Sequence, residues 1–238
     1  MKMRLELQEK YVDFRGEELK TGEELEALND LDHNDVYFNM LLSYSFGPKL
    51  SLTGRLGGGF LTYTYTDSPL NDFSYTVFYG GGRGELSPKT RYVGELGYYV
   101  QSVSASTSEQ QQEEYTGLVW RGSFEWQATG KMLICLQILR WVEYHCSENY
   151  QVVESFGSRV RWVMTRRIYL ESDLRLEMST PASQKESTQR FAGNAGAYYR
   201  LKHFLYLGAG VEYVQRLSDD SDVSYKVTTV YLHCTIAF

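Results

Sequence analysis

The charged side chains that recur at every second position are the residues of this sequence best placed to do chemistry. In RIYLESDLRLEM (167–178), acidic and basic groups alternate with leucines, and other segments repeat this arrangement. Such a set could bind anions through arginine or close on itself in ion pairs. We predict that the following residues line an internal channel: Arg121, Arg159, Arg161, Arg175, Arg190, Arg200, Glu95, Glu125, Glu171, Asp173, Glu177 and Glu212.

A second candidate for chemistry is the stretch YHCSENY (144–150), which holds His145 and Ser147. A nucleophilic serine needs a neighbouring base and a third group that orients the base. Asn149 is too close to orient the base, and no asparagine follows within QVVESFGSRVRW (151–162). His145 and Ser147 are therefore weak catalytic candidates, and we expect a protein that is not an enzyme.

Other ligand-binding signatures do not occur in the sequence. The remaining histidines are scattered, and no Cys/His spacing is typical of zinc. No phosphate loop, dinucleotide fingerprint or basic nucleic-acid stripe occurs. We therefore expect no metal, no cofactor and no nucleic-acid partner.

The alternation that spaces these charged residues is itself the signature of β-strands with two different faces. Breaks in the pattern predict about twelve strands, many of them longer than the strands of soluble sheets. Slips in the parity of strands 3, 4, 7 and 12 predict bulges there. The predicted strands are 3–14, 35–47, 49–66, 73–86, 90–106, 114–128, 131–146, 149–165, 167–179, 188–201, 203–217 and 222–238.

The composition favours strands as the only route across a membrane. No apolar run approaches the roughly 20 residues of a spanning helix. The chain has 20 Tyr, 11 Phe and 4 Trp against 4 Pro, which is typical of many long strands. We predict one domain over residues 1–238, in which loop 15–34 is either a solvated acidic loop or contains a short helix, since Thr21 and Glu24 form a capping box.

The connections between predicted strands alternate between tight, basic turns and mostly longer, acidic loops. This is the pattern of outer-membrane barrels, which have short periplasmic turns and longer extracellular loops. The alternative, a soluble β-sandwich, should expose polar faces, whereas here the large apolar groups form one face. The sequence therefore predicts an all-β, transmembrane, antiparallel up-and-down β-barrel.

The last residues, VYLHCTIAF (230–238), place apolar side chains at alternate positions before a terminal Phe238. This ending resembles the assembly signal of bacterial outer-membrane β-barrel proteins, with Phe238, Ile236 and Leu232 as its residues. The resemblance implies the outer membrane of Gram-negative bacteria, insertion by the barrel assembly machinery, and contact with outer-membrane lipid and lipopolysaccharide. We expect a monomer. Because the start lacks the apolar block of a signal peptide, we expect an exported chain whose signal has been removed.

The function that we predict is a narrow, gated diffusion channel for small or anionic solutes. The arginines at 159, 161, 190 and 200 resemble the arginine tracks of twelve-stranded oligogalacturonate-type porins. The alternatives are a non-conducting structural or adhesion barrel with an ion-paired lumen and the barrel part of a larger exporter. A less favoured alternative is an enzyme, because His145-x-Ser147 resembles the His-x-Ser of outer-membrane phospholipase A.

Overall fold

The computed structural model describes twelve strands and the short turns that join several of them. The described residues are 2–12, 33–47, 49–63, 72–103, 114–145, 149–181, 187–202, 205–218 and 224–236. The strands are β1 (Lys2–Val12), β2 (His33–Ser45), β3 (Leu50–Tyr63), β4 (Phe73–Ser87), β5 (Thr90–Val103), β6 (Glu114–Thr129), β7 (Met132–His145), β8 (Asn149–Val163), β9 (Ile168–Pro181), β10 (Thr188–Lys202), β11 (Leu205–Ser218) and β12 (Tyr225–Ile236).

The strands form one sheet in which each strand pairs with its neighbours along the chain, from β1 to β12. The pairings from β1 to β3 and from β9 to β12 are antiparallel. This up-and-down order confirms the predicted fold class, and the strand bounds differ from the predicted ones by at most three residues. Within the described residues, no helix is long and apolar enough to cross a membrane.

The chain divides into two compact units, and strands β4 to β8 contribute to both. Unit 1 contains residues 1–82, 95–120 and 142–151, and unit 2 contains residues 83–94, 121–141 and 152–238. The single-domain organisation stays a prediction. The helix predicted in loop 15–34 falls outside the described residues, which include only positions 33 and 34 of that loop.

In unit 2, the register of β9 to β12 separates a polar face from an apolar face. Residues directly opposite each other in antiparallel strands lie on the same face. Glu177 pairs with Arg190, and Arg190 pairs with Arg216, so these residues define the polar face. Leu176 and Phe191 are paired on the other, apolar face, where Leu176 is half exposed. The alternation read from the sequence is therefore a true difference between the two sides of the sheet.

Strand β12 corrects one sequence prediction, because it pairs with β11 without a register shift from Ile236 to Tyr225. The predicted bulge is absent from this pairing. The alternation of apolar and polar residues in β12 is broken for another reason, because Lys226 and Thr228 lie on the apolar face while Val227 lies on the polar face. The described register shift in β10 and β11 lies instead between Arg200 and Lys202, next to the turn.

In unit 1, the glycine run Gly57–Gly59 of β3 does not lie opposite the glycine run Gly80–Gly82 of β4. A Cβ on Gly58 would come 2.8 Å from the carbonyl oxygen of Tyr75, and one on Gly82 would come 3.3 Å from that of Ser51. The register of β3 and β4 is therefore shifted from the one in which the two glycine runs would face each other, because a long connection does not fix register as a tight turn does. A Cβ on Gly59 would come 2.8 Å from the Tyr75 ring, so this glycine makes room for the ring.

Candidate functional site

The polar side of unit 2 contains a cavity of about 910 Å³, and charged residues from four strands line it. Strands β6, β8, β9 and β11 carry these groups at alternate positions, so the side chains converge on the same space. The cavity joins half of the predicted channel-lining set: Arg121, Glu125, Arg159, Asp173, Arg175 and Glu212. Cys135 and Asn194 also line it.

The shortest ion pair in this cavity joins Arg159 on β8 to Asp173 on β9. The Arg159 Nε donates to Asp173 Oδ1 at 2.6 Å. The two side chains remain 59% and 40% exposed, so water screens their attraction. The pair thus orients Arg159 along the wall but leaves much of its guanidinium accessible to a solute.

Glu177 forms a second ionic contact on the same face, and it binds two arginines. Its Oε1 lies 2.8 Å from Arg175 Nη2, and its Oε2 lies 3.4 Å from Arg190 Nη1. The Glu177 side chain is only 13% exposed, whereas both arginines are about half exposed. The carboxylate is therefore enclosed between two cations that face open space.

Arg91 is a further charged residue of this face, which the sequence pattern did not single out. Its Nε lies 3.3 Å from Glu85 Oε1, and its Nη1 lies 3.9 Å from Glu125 Oε1. Arg91 shares the parity of Glu95 on β5, which is the signal that could have identified it. Its contact with a cavity-lining glutamate extends the charged wall to β4 and β5.

Glu95 belongs to unit 1 and does not line the cavity. It is 6% exposed, accepts a hydrogen bond from Thr53 Oγ1 at 3.1 Å, and lies 4.0 Å from Arg55 Nε. Burial and these contacts give Glu95 a local bridging position between β3 and β5.

Aromatic rings cover the polar face towards the β8–β9 turn. The Arg161 guanidinium lies 4.6 Å from the Tyr169 ring centroid, and Tyr169 stacks on Tyr198 at 4.6 Å. Tyr198 also contacts His233 at 5.2 Å between ring centroids. Gly208 lies beneath these rings, where any side chain would collide with His233. This part of the wall is smooth backbone covered by flat rings, which the charge pattern alone did not indicate.

The other predicted residues lie in different places. Glu171 is on the polar face opposite Gly196. Arg200 donates from Nη2 to the carbonyl oxygen of Arg166 at 2.7 Å and so lies at the turn, outside the cavity lining. Ser147 and Phe238 fall outside the described residues, as does the His145 side chain. Leu232 is 83% exposed on the apolar face, and the described β12 ends at Ile236.

The apolar face of unit 2 contains an ion pair that the sequence pattern did not indicate. Arg140 Nη1 lies 2.6 Å from Glu154 Oε1, joining β7 to β8. Residues of the same parity on β7 include Leu136 and Ile138, both exposed, whereas the opposite parity supplies the cavity residue Cys135. The pair therefore lies among apolar side chains. No group of metal-ligating residues occurs among the described residues.

Comparison with known proteins gives a family match and a set of distant structural neighbours. Residues 77–238, more than half of the chain, match the model of the family described as Putative beta-barrel porin 2. No curated protein matches the sequence significantly.

The solved structures with a similar fold include an iron transporter, a copper transporter and an alcaligin outer membrane receptor. The FrpB iron transporter from Neisseria meningitidis (F3-3 variant) has a TM-score of 0.62 at 8% identity, over 96% of this chain and 44% of that one. The copper transporter OprC has a TM-score of 0.63 at 9% identity, over 86% of this chain and 41% of that one. The alcaligin outer membrane receptor FauA from Bordetella pertussis has a TM-score of 0.56 at 9% identity, over 86% of this chain and 43% of that one. This chain thus spans about two fifths of the length of these structures, and the likeness is one of fold.

Proposed function

Because the chain belongs to the Putative beta-barrel porin 2 family, an outer-membrane β-barrel family, we propose that it is a narrow diffusion channel that prefers small anionic solutes. The observation that carries this proposal is the cavity of about 910 Å³ lined by Arg121, Arg159 and Arg175. Under the proposal, the polar face lines the lumen and the apolar face contacts lipid. A solute passes along the charged groups of the polar face as it crosses the membrane.

The charge balance of the polar face in unit 2 supports an anion preference. Arginines outnumber carboxylates among the residues that the cavity, the registers and the ion pairs assign to this face. The arginines are Arg91, Arg121, Arg159, Arg161, Arg175, Arg190, Arg200 and Arg216, against Glu85, Glu125, Glu171, Asp173, Glu177 and Glu212. A fixed cationic excess raises the local concentration of anions in a water-filled pore.

The partial exposure of the paired arginines supports passage rather than closure. Arg159, Arg175 and Arg190 are 59%, 52% and 49% exposed despite their ion pairs. A guanidinium offers five donors, so an arginine that contacts one carboxylate can still bind a passing anion. The solute exchanges one arginine for the next along β8, β9 and β10.

The opposing candidate is a non-conducting barrel, and the Glu177 contacts favour it. A carboxylate enclosed between two arginines on adjacent strands holds the wall in shape without any solute. The barrel part of a larger exporter is a further candidate.

The gate that we propose is the acidic segment 17–30, which lies outside the described residues, and deleting it is expected to raise conductance.

Single-channel recording of the refolded protein in a planar bilayer tests the proposal. We expect stable conductance steps and a reversal potential under a salt gradient that indicates anion preference. Glu177→Gln increases that preference because it removes one negative charge and releases two arginines. The double variant Arg159→Gln/Arg175→Gln reduces it.

The matched control is Lys131→Gln, which removes a positive charge from an exposed turn outside the cavity lining. Its reversal potential is expected to equal that of the parent protein. A folded, inserted protein that conducts no current would reject the channel and favour the ion-paired structural barrel. Cation preference would reject the anion proposal alone.

We also propose that the protein works as a monomer, inserted by the barrel assembly machinery, with lipid and lipopolysaccharide against the apolar face. The alternation of exposed leucines on that face supports lipid contact. Cross-linking in intact outer membranes tests the monomer, and specific dimer bands would reject it.

A further inference from the structure

The apolar face of unit 2 contains a groove of about 620 Å³ between β8 and β12. Small residues on neighbouring strands form its floor, where Ala197 on β10 lies opposite Ala209 on β11. Leu170 on β9 lies opposite Ala197 on its other side. Trp162, Leu170 and Val230 project as its walls. The wall is thus indented where its neighbours carry large exposed side chains, and the volume lies within the range of about 300–1,000 Å³ that is usual for small-molecule sites.

The groove offers an occupant almost only hydrocarbon contacts. Its side chains are aliphatic or aromatic, apart from Ser172 and the edge of Glu171. Such a surface suits an acyl chain, which is flexible and narrow enough to lie along a channel with a floor of alanines. A solute of the aqueous lumen would meet no polar group that could orient it here.

Basic groups lie at the end of the groove that faces the short turns. Trp162 is next to the last residue of β8, and Leu170 is the third residue of β9. The turn between them carries Arg166 and Arg167, both exposed, and Lys202 is exposed at the end of β10. At about 3.3 Å per residue, these cations lie roughly 10 Å from the groove walls.

The turn that carries the two arginines is attached to β10. The backbone N–H of Arg200 donates to the carbonyl oxygen of Arg167 at 2.7 Å, and Arg200 Nη2 donates to that of Arg166, also at 2.7 Å. These hydrogen bonds hold the turn beside the strand that supplies the groove floor. The apolar groove and the cationic rim therefore form one continuous amphipathic surface.

We propose that this surface binds one anionic phospholipid, with an acyl chain in the groove and the phosphate against Arg166, Arg167 and Lys202. The charge complementarity identifies the headgroup, and the apolar lining identifies the chain. A second copy of the protein suits the surface less well. A two-fold axis through the groove would bring identical basic turns together and would place two concave surfaces face to face.

Native mass spectrometry of the refolded protein in neutral detergent tests this site. Phosphatidylglycerol and phosphatidylcholine with identical acyl chains are titrated separately. We expect phosphatidylglycerol to bind more tightly, and each of Arg166→Gln, Arg167→Gln and Lys202→Gln to weaken its binding about fivefold, since one cation near an anionic lipid contributes about 1 kcal/mol. The binding of phosphatidylcholine should not change in these variants.

A second pair of substitutions tests the groove itself. Ala197→Leu/Ala209→Leu fills the floor with side chains that are compatible with lipid, and it is expected to weaken the binding of both lipids at least tenfold. Ala128→Leu places the same side chain on β6, outside the groove, and should leave binding unchanged. Lys89→Gln, in the exposed turn between β4 and β5, is the matched control for the lost cations.

Three results would overturn the proposal. Equal binding of the two lipids would remove the headgroup contact, and undiminished binding in the filled-groove variant would remove the chain contact. A dimer that disappears in the filled-groove variant would assign the groove to a second copy. None of these results depends on conductance, so the site can fail while the channel holds, or the reverse.

Discussion

Replacing Glu154 by leucine is expected to destabilise the protein in a bilayer, although it makes the apolar face more apolar. The change removes the carboxylate that lies 2.6 Å from Arg140 Nη1 and leaves the guanidinium on a surface that we assign to lipid. An arginine that has lost this carboxylate costs more there than the ion pair, because lipid supplies neither water nor counter-ions.

The magnitude follows from the position of Arg140 along β7. It is eight residues beyond Met132, the first residue of the strand. At about 3.3 Å per residue and a tilt of about 40°, it lies roughly 20 Å above the turn, within an apolar band about 25 Å tall. Arginine on the lipid face costs about 2–4 kcal/mol at the midplane and about 0–1 kcal/mol near the interfaces. We therefore expect Glu154→Leu to lower the free energy of unfolding by about 1–2 kcal/mol.

Urea unfolding of the protein in phospholipid vesicles measures this change, and a double-mutant cycle isolates it. The double variant Arg140→Leu/Glu154→Leu should be at least as stable as the parent protein, because both charges are gone. Asp173→Leu is the matched control, since it breaks an ion pair of equal length, with Arg159, on the polar face. There, water screens the released charge, and the expected cost is about 0.2–1 kcal/mol.

The result that would refute the reasoning is a double variant no more stable than Glu154→Leu alone. That outcome would mean that Arg140 has no unfavourable environment to escape. The face that carries Leu136 and Ile138 would then not be the lipid face, and the assignment of the lumen would be reversed.

Two further predictions test packing and the assignment of the two faces. Gly97→Ala is expected to lower the free energy of unfolding by about 1–3 kcal/mol, because its methyl group would meet the Phe78 carbonyl oxygen and the Tyr79 ring; Gly94→Ala, which has open space, should be neutral in the same urea assay. In vesicles of a Cys146→Ser variant, a charged methanethiosulfonate should modify Cys135 in the cavity but leave Cys234 on the apolar face unmodified. Mass spectrometry measures this labelling, and the reverse pattern would contradict the face assignment.

The strands could be predicted closely because their signal is local. Alternation in RIYLESDLRLEM requires only neighbouring residues, and β9 is observed at Ile168–Pro181 against a predicted 167–179. The same alternation placed Glu177 and Arg190 on the polar faces of their strands, since parity assigns a face without fixing the register. The polar wall is therefore largely predictable from composition and parity.

The remaining features depend on register between strands, which the sequence does not encode locally. Gly58 lies against the carbonyl oxygen of Tyr75 rather than opposite Gly81, because the long connection between β3 and β4 leaves several registers open. Arg140 and Glu154 each read as a single exception in an apolar strand. Only their opposition across β7 and β8 shows that the two exceptions compensate each other.

The strand order, in which every strand adjoins its neighbours along the chain, also has an evolutionary consequence. A wall without crossovers can gain or lose a hairpin by duplication or deletion of one stretch of the gene, and no other pairing has to change. Barrels of different circumference can then share a run of hairpins while their sequences diverge. The hairpin is therefore the unit by which such a wall can lengthen or shorten.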